Sequence, residues 1–337
     1  MRTLAIGLAY DLLGSYPSGP GAPPDADAEF EPEATVEVLE AAISRLGHRP
    51  VRLGNPHALL AQAGKGEVPS LDAAMTIAEG FGTRNREAWV PVLLEMLAVP
   101  RIGSDALTLS LSLDKAWTKD VVAAAGVPVA PHLSVRSGPE LAGRTLPGAF
   151  PLFVKPRWEG TAKGIAPSSR VEDLEALTRE VERVVRTYRQ PALIEPFLPG
   201  AEYTVTLIGN SPPRALPALQ RALEHETGIG LHALERHATA SNRTLRHSLP
   251  GELSPALEQR LARLAQRAFD ALECRDFART DFRLDAAGEP RFLEMNPLPT
   301  FSPDGSFGIL AELLDRPLPD LLAEVIGGGL SRLGLVP

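Results

Sequence analysis

Several things are scarce in this chain of 337 residues. It contains one cysteine, Cys274, so neither an internal disulfide nor a multi-thiolate metal site can form. Acidic Glu273 and Asp276 beside it predict a raised thiol pKa, which argues against a nucleophile. Cysteine usage thus leaves the redox compartment open and is consistent with cytoplasm. An excess of positive charge is also lacking. The balance of 34 Lys and Arg against 42 Asp and Glu gives a net charge of -8, which disfavours nucleic acid or an anionic membrane as the main partner. Any phosphate must therefore be bound by local groups. The apolar opening at residues 3–10 is too short to span a bilayer and lacks a signal-peptide layout, so a cytoplasmic protein with no membrane partner is expected. Internal repeats and low-complexity tracts are absent as well.

What is present suits a soluble globular protein, with 44% hydrophobic and 23% charged residues. The length predicts two or three domains. Strand and helix signals alternate through the first third: a strand at 4–10, a helix at 32–46, and strands around Val51 and at 73–77. That alternation implies parallel strands with crossover helices. A Gly-, Pro- and Ser-rich stretch at 14–24 falls where such sheets bind ligands, and a functional loop and a disordered insertion are both open there. An apolar segment follows at 89–97, then a helix carrying Lys115 and Lys119 four residues apart. The first domain boundary is placed near residue 113. A smaller unit with strands at 152–155 and 192–195 and a charged helix at 171–188 comes next. The remainder starts with a strand at 202–208 and finishes in a helix at 306–314 and a tail.

The most informative stretch is 278–284 followed by 291–297. Read as a hairpin turning between Ala287 and Gly288, it sets Asp281 across from Glu294. Side chains alternate faces along a strand, so Arg279, Asp281, Glu294 and Asn296 share one face while Phe282, Leu284, Leu293 and Met295 fill the other. Opposed carboxylates repel, and a cation is the natural remedy. Two carboxylates, an amide oxygen and a guanidinium on one face form a plausible seat for Mg2+ and a phosphate, against the plainer reading of a solvated hairpin face.

A second cluster lies at 153–165, where Lys155 ends an apolar strand and Gly160 and Gly164 open a loop. Glycines let backbone N–H groups approach phosphate oxygens, and a lysine adds a point charge, although the spacing is not that of a Walker A loop. Farther on, an apolar strand ends in Glu195 and another begins at Glu202. The first can offer backbone groups to a purine edge and the second can accept ribose hydroxyls; either glutamate can equally be a solvated strand end.

In order along the chain, Asp114-Lys115-x3-Lys119, Val154-Lys155-Pro156 with Glu159-Gly160, Glu195 to Glu202, Arg279-x-Asp281 and Leu293-Glu294-x-Asn296-Pro297 together resemble the ATP-grasp enzymes, and among them the D-alanine:D-alanine ligases. The resemblance runs from about residue 75 to 310. It implies an α/β fold of three-domain ATP-grasp architecture: an amino-terminal parallel-sheet domain (1–113), a central subdomain (114–197) and a carboxyl-terminal subdomain (198–337), with ATP clasped between the last two. It further implies that Lys115 and Lys155 contact ATP phosphates, with Thr161 on the phosphate-covering loop. Glu195 and Leu198 would lie at the adenine and Glu202 at the ribose. Asp281, Glu294 and Asn296 would hold two Mg2+ ions, and Arg279 would stabilise an oxyanion.

Departures from the family fall mostly in substrate recognition. The glutamate and serine at the start of the first helix are matched only by Glu31 in the run 28–35. Where the ligases carry His-Gly and Gly-Glu-Asp-Gly, residues 78–87 offer Arg84 and Arg86, either solvated or able to grip a carboxylate. The tyrosine and lysine of the mobile lid are missing from 219–236, which has Arg221, His225, His232 and Arg236 instead; their spacing favours a solvated loop over a zinc site. Thr300 takes the place of an oxyanion-hole glycine, and Ser306 matches a carboxylate-binding serine with a one-residue insertion. The resemblance therefore implies an ATP-dependent carboxylate–amine ligase with altered specificity, such as a dipeptide ligase or an amide-forming enzyme of specialised biosynthesis. True D-alanine:D-alanine ligation, an ATP-grasp kinase that stops at phosphorylation, and a catalytically dead nucleotide sensor are the alternatives. Partners would be a small-molecule carboxylate and an amino acid. A homodimer through the amino-terminal domain is expected.

Overall fold

The computed structural model describes residues 2–337 apart from 17, 18, 20, 225, 236–246 and 249–252; of 231–235 and 247–248 it describes the backbone. The chain opens with β1 (Ala5–Tyr10), α1 (Glu33–Arg45), β2 (Arg49–Gly54), α2 (Pro56–Lys65) and β3 (Ala73–Ile77). The three strands form a parallel sheet in the order β2-β1-β3, as the alternating signals predict. α1 buries Val36, Leu39, Ala42 and Ile43, which fall on one face at helical spacing. α2, unforeseen in the sequence, is started by the Asn55 side chain, which accepts the Ala58 N–H at 2.9 Å. Helices α3 (Trp89–Met96), α4 (Ala106–Leu113) and α5 (Lys115–Ala124) follow. Asp114 ends α4 and caps α5, fixing where Lys115 emerges.

β4 (Leu133–Val135), β5 (Leu152–Pro156), β6 (Arg170–Val171), α6 (Leu174–Tyr188) and β7 (Ala192–Pro196) come next. Their antiparallel sheet has the order β4-β7-β5-β6. α6 lays Leu177, Val181 and Val184 onto it. The helix expected over 171–188 starts three residues late because Val171 pairs with Leu152 and Asp173 caps the Ala176 N–H.

The third sheet contains β8 (Glu202–Ile208), β9 (Arg214–Ala215), β10 (Leu219–Glu224), β11 (Gly230–Glu235), β12 (His247–Ser248), β13 (Phe277–Leu284) and β14 (Pro290–Asn296). Its main path is β11-β10-β8-β13-β14. α7 (Pro255–Ala271) covers one face through Leu261, Ala265, Ala268 and Phe269, sharing a core with Val122 and Val127 from the end of α5. Two more helices, α8 (Ser306–Leu313) and α9 (Leu318–Arg332), close the chain. α9 replaces the expected tail. It packs Leu321, Leu322, Val325, Ile326 and Leu330 into one core with α1 and the first sheet, so the end of the chain returns to its beginning. Among the described residues no helix is long and apolar enough to cross a membrane.

Candidate active site

β13 and β14 pair in the predicted register at their functional end: Arg279 faces Asn296 and Asp281 faces Glu294. The pairing then slips by one, so that Phe282 faces Phe292 and Leu284 faces Pro290. This bulge corrects the expected face assignment, since Phe292 takes the core position and Leu293 joins Glu294 in lining a cavity. Asp281 is held on both oxygens, accepting from Thr204 Oγ1 at 2.7 Å and pairing with an Arg279 nitrogen at 3.2 Å. Glu294 Oε2 lies 2.9 Å from Lys115 Nζ. Burial alone would raise the Glu294 carboxyl, but Lys115, Lys155 and Arg279 outweigh it and bring its pKa down to about 2. Asp281 and Glu294 in turn keep buried Arg279 charged, with a pKa above the ordinary arginine value.

Across the cavity, Lys155 stands on β5, where alternation points Val154 into the core beneath it. Its Nζ is 2.8 Å from Glu195 Oε2 on the neighbouring strand, and Lys119 Nζ is 2.8 Å from Glu195 Oε1. Against the pull of burial, these two cations lower the Glu195 carboxyl to about 2. The solvated strand end that the sequence left open is thereby excluded for Glu195.

The loop after β5 carries Thr161 and Ala162 at positive φ, +47° and +55°, and both line the cavity. Its outer side is clasped by the amino-terminal segment. Glu29 accepts the Gly160 N–H at 2.8 Å and the Lys163 ammonium at 2.8 Å, and pairs with Arg86 at 2.7 Å. Asp25 accepts the Gly164 N–H at 2.7 Å and bonds the Tyr188 hydroxyl at 3.0 Å. Gly160 sits so close to Glu29 that a Cβ there would meet its carboxylate at 2.7 Å. Two residues on, Glu31 accepts from Thr35 Oγ1 at 2.8 Å and from the Thr300 side chain. Burial holds its carboxyl above the usual range despite those bonds. One short segment therefore touches both walls of the cavity.

At the far end Glu202 lies between two guanidinium groups, Arg221 at 2.7 Å and Arg283 at 3.3 Å. Arg283 and Arg170 also stack over Phe197, at 5.1 and 4.6 Å from its ring centre. Phe197 and Leu198 give the cavity an apolar wall beside Glu202.

Of the residues singled out in the sequence, one cavity collects Lys115, Lys155, Thr161, Glu195, Leu198, Glu202, Arg279, Asp281, Glu294, Thr300 and Ser306. Ser306 opens α8 with a buried hydroxyl that has no hydrogen-bond partner among the described residues. Asn296 faces Arg279 but uses its side-chain oxygen to accept the Leu298 N–H at 3.0 Å. Arg84 and Arg86 are not in the lining. Arg86 is buried against Glu29 and the Trp158 carbonyl, and Arg84 lies over the Trp117 ring, 4.6 Å from its centre. Of the expected lid, β10 and β11 are present and Arg221 reaches the cavity. His225 and Arg236, and the side chain of His232, lie outside the described residues. Cys274 is buried, and burial rather than its sequence neighbours is the main cause that raises its thiol pKa. Sequence reasoning missed Asp25, Glu29, Lys163 and Arg283; only Lys163, inside the glycine loop, carried a local signal.

Among the described residues no three His, Cys, Asp or Glu side chains come together as a metal cluster. Mg2+ carried in with a nucleotide needs one or two carboxylates beside phosphate and water oxygens. Asp281 and Glu294, directly opposed, would offer such an all-oxygen pair.

Residues 121–326 match the family model described as D-ala D-ala ligase C-terminus. A D-alanine–D-alanine ligase of Alkalilimnicola ehrlichii is 33% identical over 241 residues, covering 71% of this chain and 72% of that one. An uncharacterised protein, y4sG, of Sinorhizobium fredii is 32% identical over 290 residues, 80% of each chain. The fold is similar to that of the VanG D-Ala:D-Ser ligase from Enterococcus faecalis, with a TM-score of 0.69 at 15% identity over 97% of this chain and 100% of that one. It is equally similar to the D-alanine–D-alanine ligase from Bacillus anthracis complexed with ATP, with a TM-score of 0.68 at 19% identity and 98% of each chain covered. On the family model and these relatives, the chain belongs to the D-alanine–D-alanine ligase family of ATP-grasp enzymes, ATP-dependent ligases that form carbon–nitrogen bonds.

Proposed function

We propose that this protein joins a small carboxylic acid to the amine of an amino acid, at the expense of ATP, with a specificity other than D-alanine:D-alanine ligation. The observation that carries the reading is the single cavity that gathers Lys115, Lys155, Arg279, Asp281 and Glu294 around one space, with Thr300 and Ser306 at its edge. Lys115 and Lys155 bind the triphosphate, the strand end at Glu195 together with Leu198 binds the adenine, and Glu202 binds the ribose. Asp281, Glu294 and Asn296 would hold two Mg2+ ions, which when bound neutralise phosphate charge. A substrate carboxylate oxygen attacks the γ-phosphorus, the bond to the β-phosphate oxygen breaks, and ADP leaves an acyl phosphate. The amine nitrogen then attacks the acyl carbon. Arg279 stabilises the oxyanion of the tetrahedral intermediate, which collapses as phosphate departs and the nitrogen loses its proton. Because acyl phosphates hydrolyse, the β10–β11 segment serves as lid.

The altered specificity is supported by residues 78–87, where Arg86 pairs with Glu29 and the Glu79 and Glu87 carboxyls are pushed above the usual range, chiefly by burial, in place of the ligases' His-Gly and Gly-Glu-Asp-Gly turns. Domains at 1–113, 114–197 and 198–337, a homodimer and a cytoplasmic setting complete the proposal. The test is ADP release across amino acids, singly and in pairs, with product masses. Release only when an amine is present, with an amide product, supports ligation; release without any amine and a phosphorylated product would mean a kinase. Glu294→Ala should abolish ADP release while leaving the melting curve cooperative, and retained turnover would sink the metal assignment.

A further inference from the structure

Lys119 stands one helical turn after Lys115, yet the two lysines have different surroundings. Lys115 lines the cavity, whereas Lys119 is fully enclosed behind it, with no exposed surface. Its ammonium lies 2.8 Å from Glu195 Oε1 and donates to the Phe292 carbonyl at 2.8 Å. The other oxygen of Glu195 is 2.8 Å from Lys155 Nζ, which does face the cavity. One carboxylate thus serves two ammonium groups, one in front and one behind.

Counting charges shows what the second lysine does. Lys155 and Glu195 alone form a neutral pair, and an anion entering the cavity would meet a lysine already compensated. With Lys119 the trio carries one net positive charge, and of its two ammonium groups it is that of Lys155 that lines the cavity. Enclosing an ammonium group is unfavourable unless its charge is matched and its protons accepted. Here burial draws the Lys119 pKa down only to about 8, because Glu195 opposes it, so the group keeps its proton at neutral pH. A methionine would fill the same space without that cost. The Phe292 carbonyl also ties Lys119 to β14, two residues before Glu294, so the charge behind Lys155 is fixed to the strand that carries the opposite wall.

We propose that Lys119 is a positioning residue for the nucleotide: by holding one oxygen of Glu195 it leaves the charge of Lys155 available to the triphosphate. The inference rests on the reading of this cavity as an ATP site. The experiment is equilibrium binding of MgATP and of adenosine to the full chain and to K119M, K119R, E195Q and K119M/E195Q, with melting curves for each. K119M should bind ATP about tenfold more weakly or worse while adenosine changes less than about twofold, because only the triphosphate senses the lost charge. K119R should keep most of the affinity. K119M/E195Q should recover ATP binding, since an amide no longer neutralises Lys155, and a purely structural role would show no such rescue. Should K119M fail to fold, E195Q and K119M/E195Q are compared, and equal ATP affinity is expected. Wild-type affinity in K119M, equal losses of ATP and adenosine, or a double variant much weaker than E195Q overturns the role of Lys119 alone. Failure of the wild-type protein to bind ATP overturns the nucleotide reading and this inference with it.

Discussion

Glu29 and Gly160 are separated by 131 positions, and the carboxylate of one accepts the backbone N–H of the other at 2.8 Å. The same carboxylate holds Lys163 and Arg86, so the loop that would cover the phosphates is locked onto the amino-terminal domain. If that lock keeps water from an acyl phosphate, loosening it should uncouple the two half-reactions. Glu29→Gln keeps an acceptor for Gly160 but removes the charge that Lys163 and Arg86 share. The expected result is a several-fold rise in ADP released per amide formed, read by assaying both products in one reaction. A proportional loss of both would mean that the contact serves stability only. Because the Glu29 pKa is lowered to about 2, its contribution to stability is present above the ordinary carboxyl value and is lost as pH falls toward 2. The variant should therefore lose part of the wild type's acid-limb stability.

How much of this was legible in the sequence depends on the range of the interactions. The facing of Asp281 and Glu294 follows from strand period and a turn whose geometry is local: Gly288 at φ +78° and the Asp285 side chain accepting from Ala287 and Glu289. The bulge that turns Leu293 outward is set by packing of Phe292 against Phe282, at 6.0 Å between rings, and no local pattern announces it. α9 was hidden by its own composition. Gly327, Gly328 and Gly329 lie within it, and glycine lowers helix propensity. The structure shows the gain that offsets this: a Cβ on Gly329 would meet Ile102 at 2.6 Å and buried Asp276 at 3.0 Å. Glu29 and Asp25 sit in an acidic loop without periodicity, and their partners lie in another domain, so nothing nearby in the chain marks them.

Gly308 is a second position where space, not backbone freedom, requires glycine. A Cβ there would lie 1.7 Å from the Pro303 carbonyl oxygen, so Gly308→Ala must displace either α8 or the turn before it. That turn follows Thr300, and α8 begins with Ser306, both in the cavity wall. The substitution should cost roughly 1–3 kcal/mol of stability, as overpacking does. In the folded fraction it should raise KM for the carboxylate or amine substrate more than KM for ATP. Chemical denaturation and substrate titrations check the two halves separately. An unchanged KM for both organic substrates would detach α8 from their recognition.

The Glu79 and Glu87 carboxyls beside Arg86 make a prediction of opposite sign to the one for Glu29. Burial is the main cause that pushes the Glu87 carboxyl up to about 7, with Arg86 opposing and Glu29 adding to the rise; Glu79 is raised too, by burial and by Glu87 itself. A carboxyl with a raised folded-state pKa binds more protons in the native than in the unfolded chain between about 4.5 and 7. Its contribution to stability is therefore full below the unfolded value and is lost as pH rises through the folded one. Wild-type stability should show a falling component between pH 5 and 7, of order 2 kcal/mol at most for a buried group. Glu87→Gln should flatten that component, because an amide stays neutral throughout, and should leave the acid limb governed by Glu29, Glu195 and Glu294 in place. The check is denaturant unfolding of both proteins at half-unit steps from pH 4 to 8. An identical pH slope in the two proteins would mean that Glu87 is ionised in the native state throughout, held by Arg86 more strongly than burial opposes it.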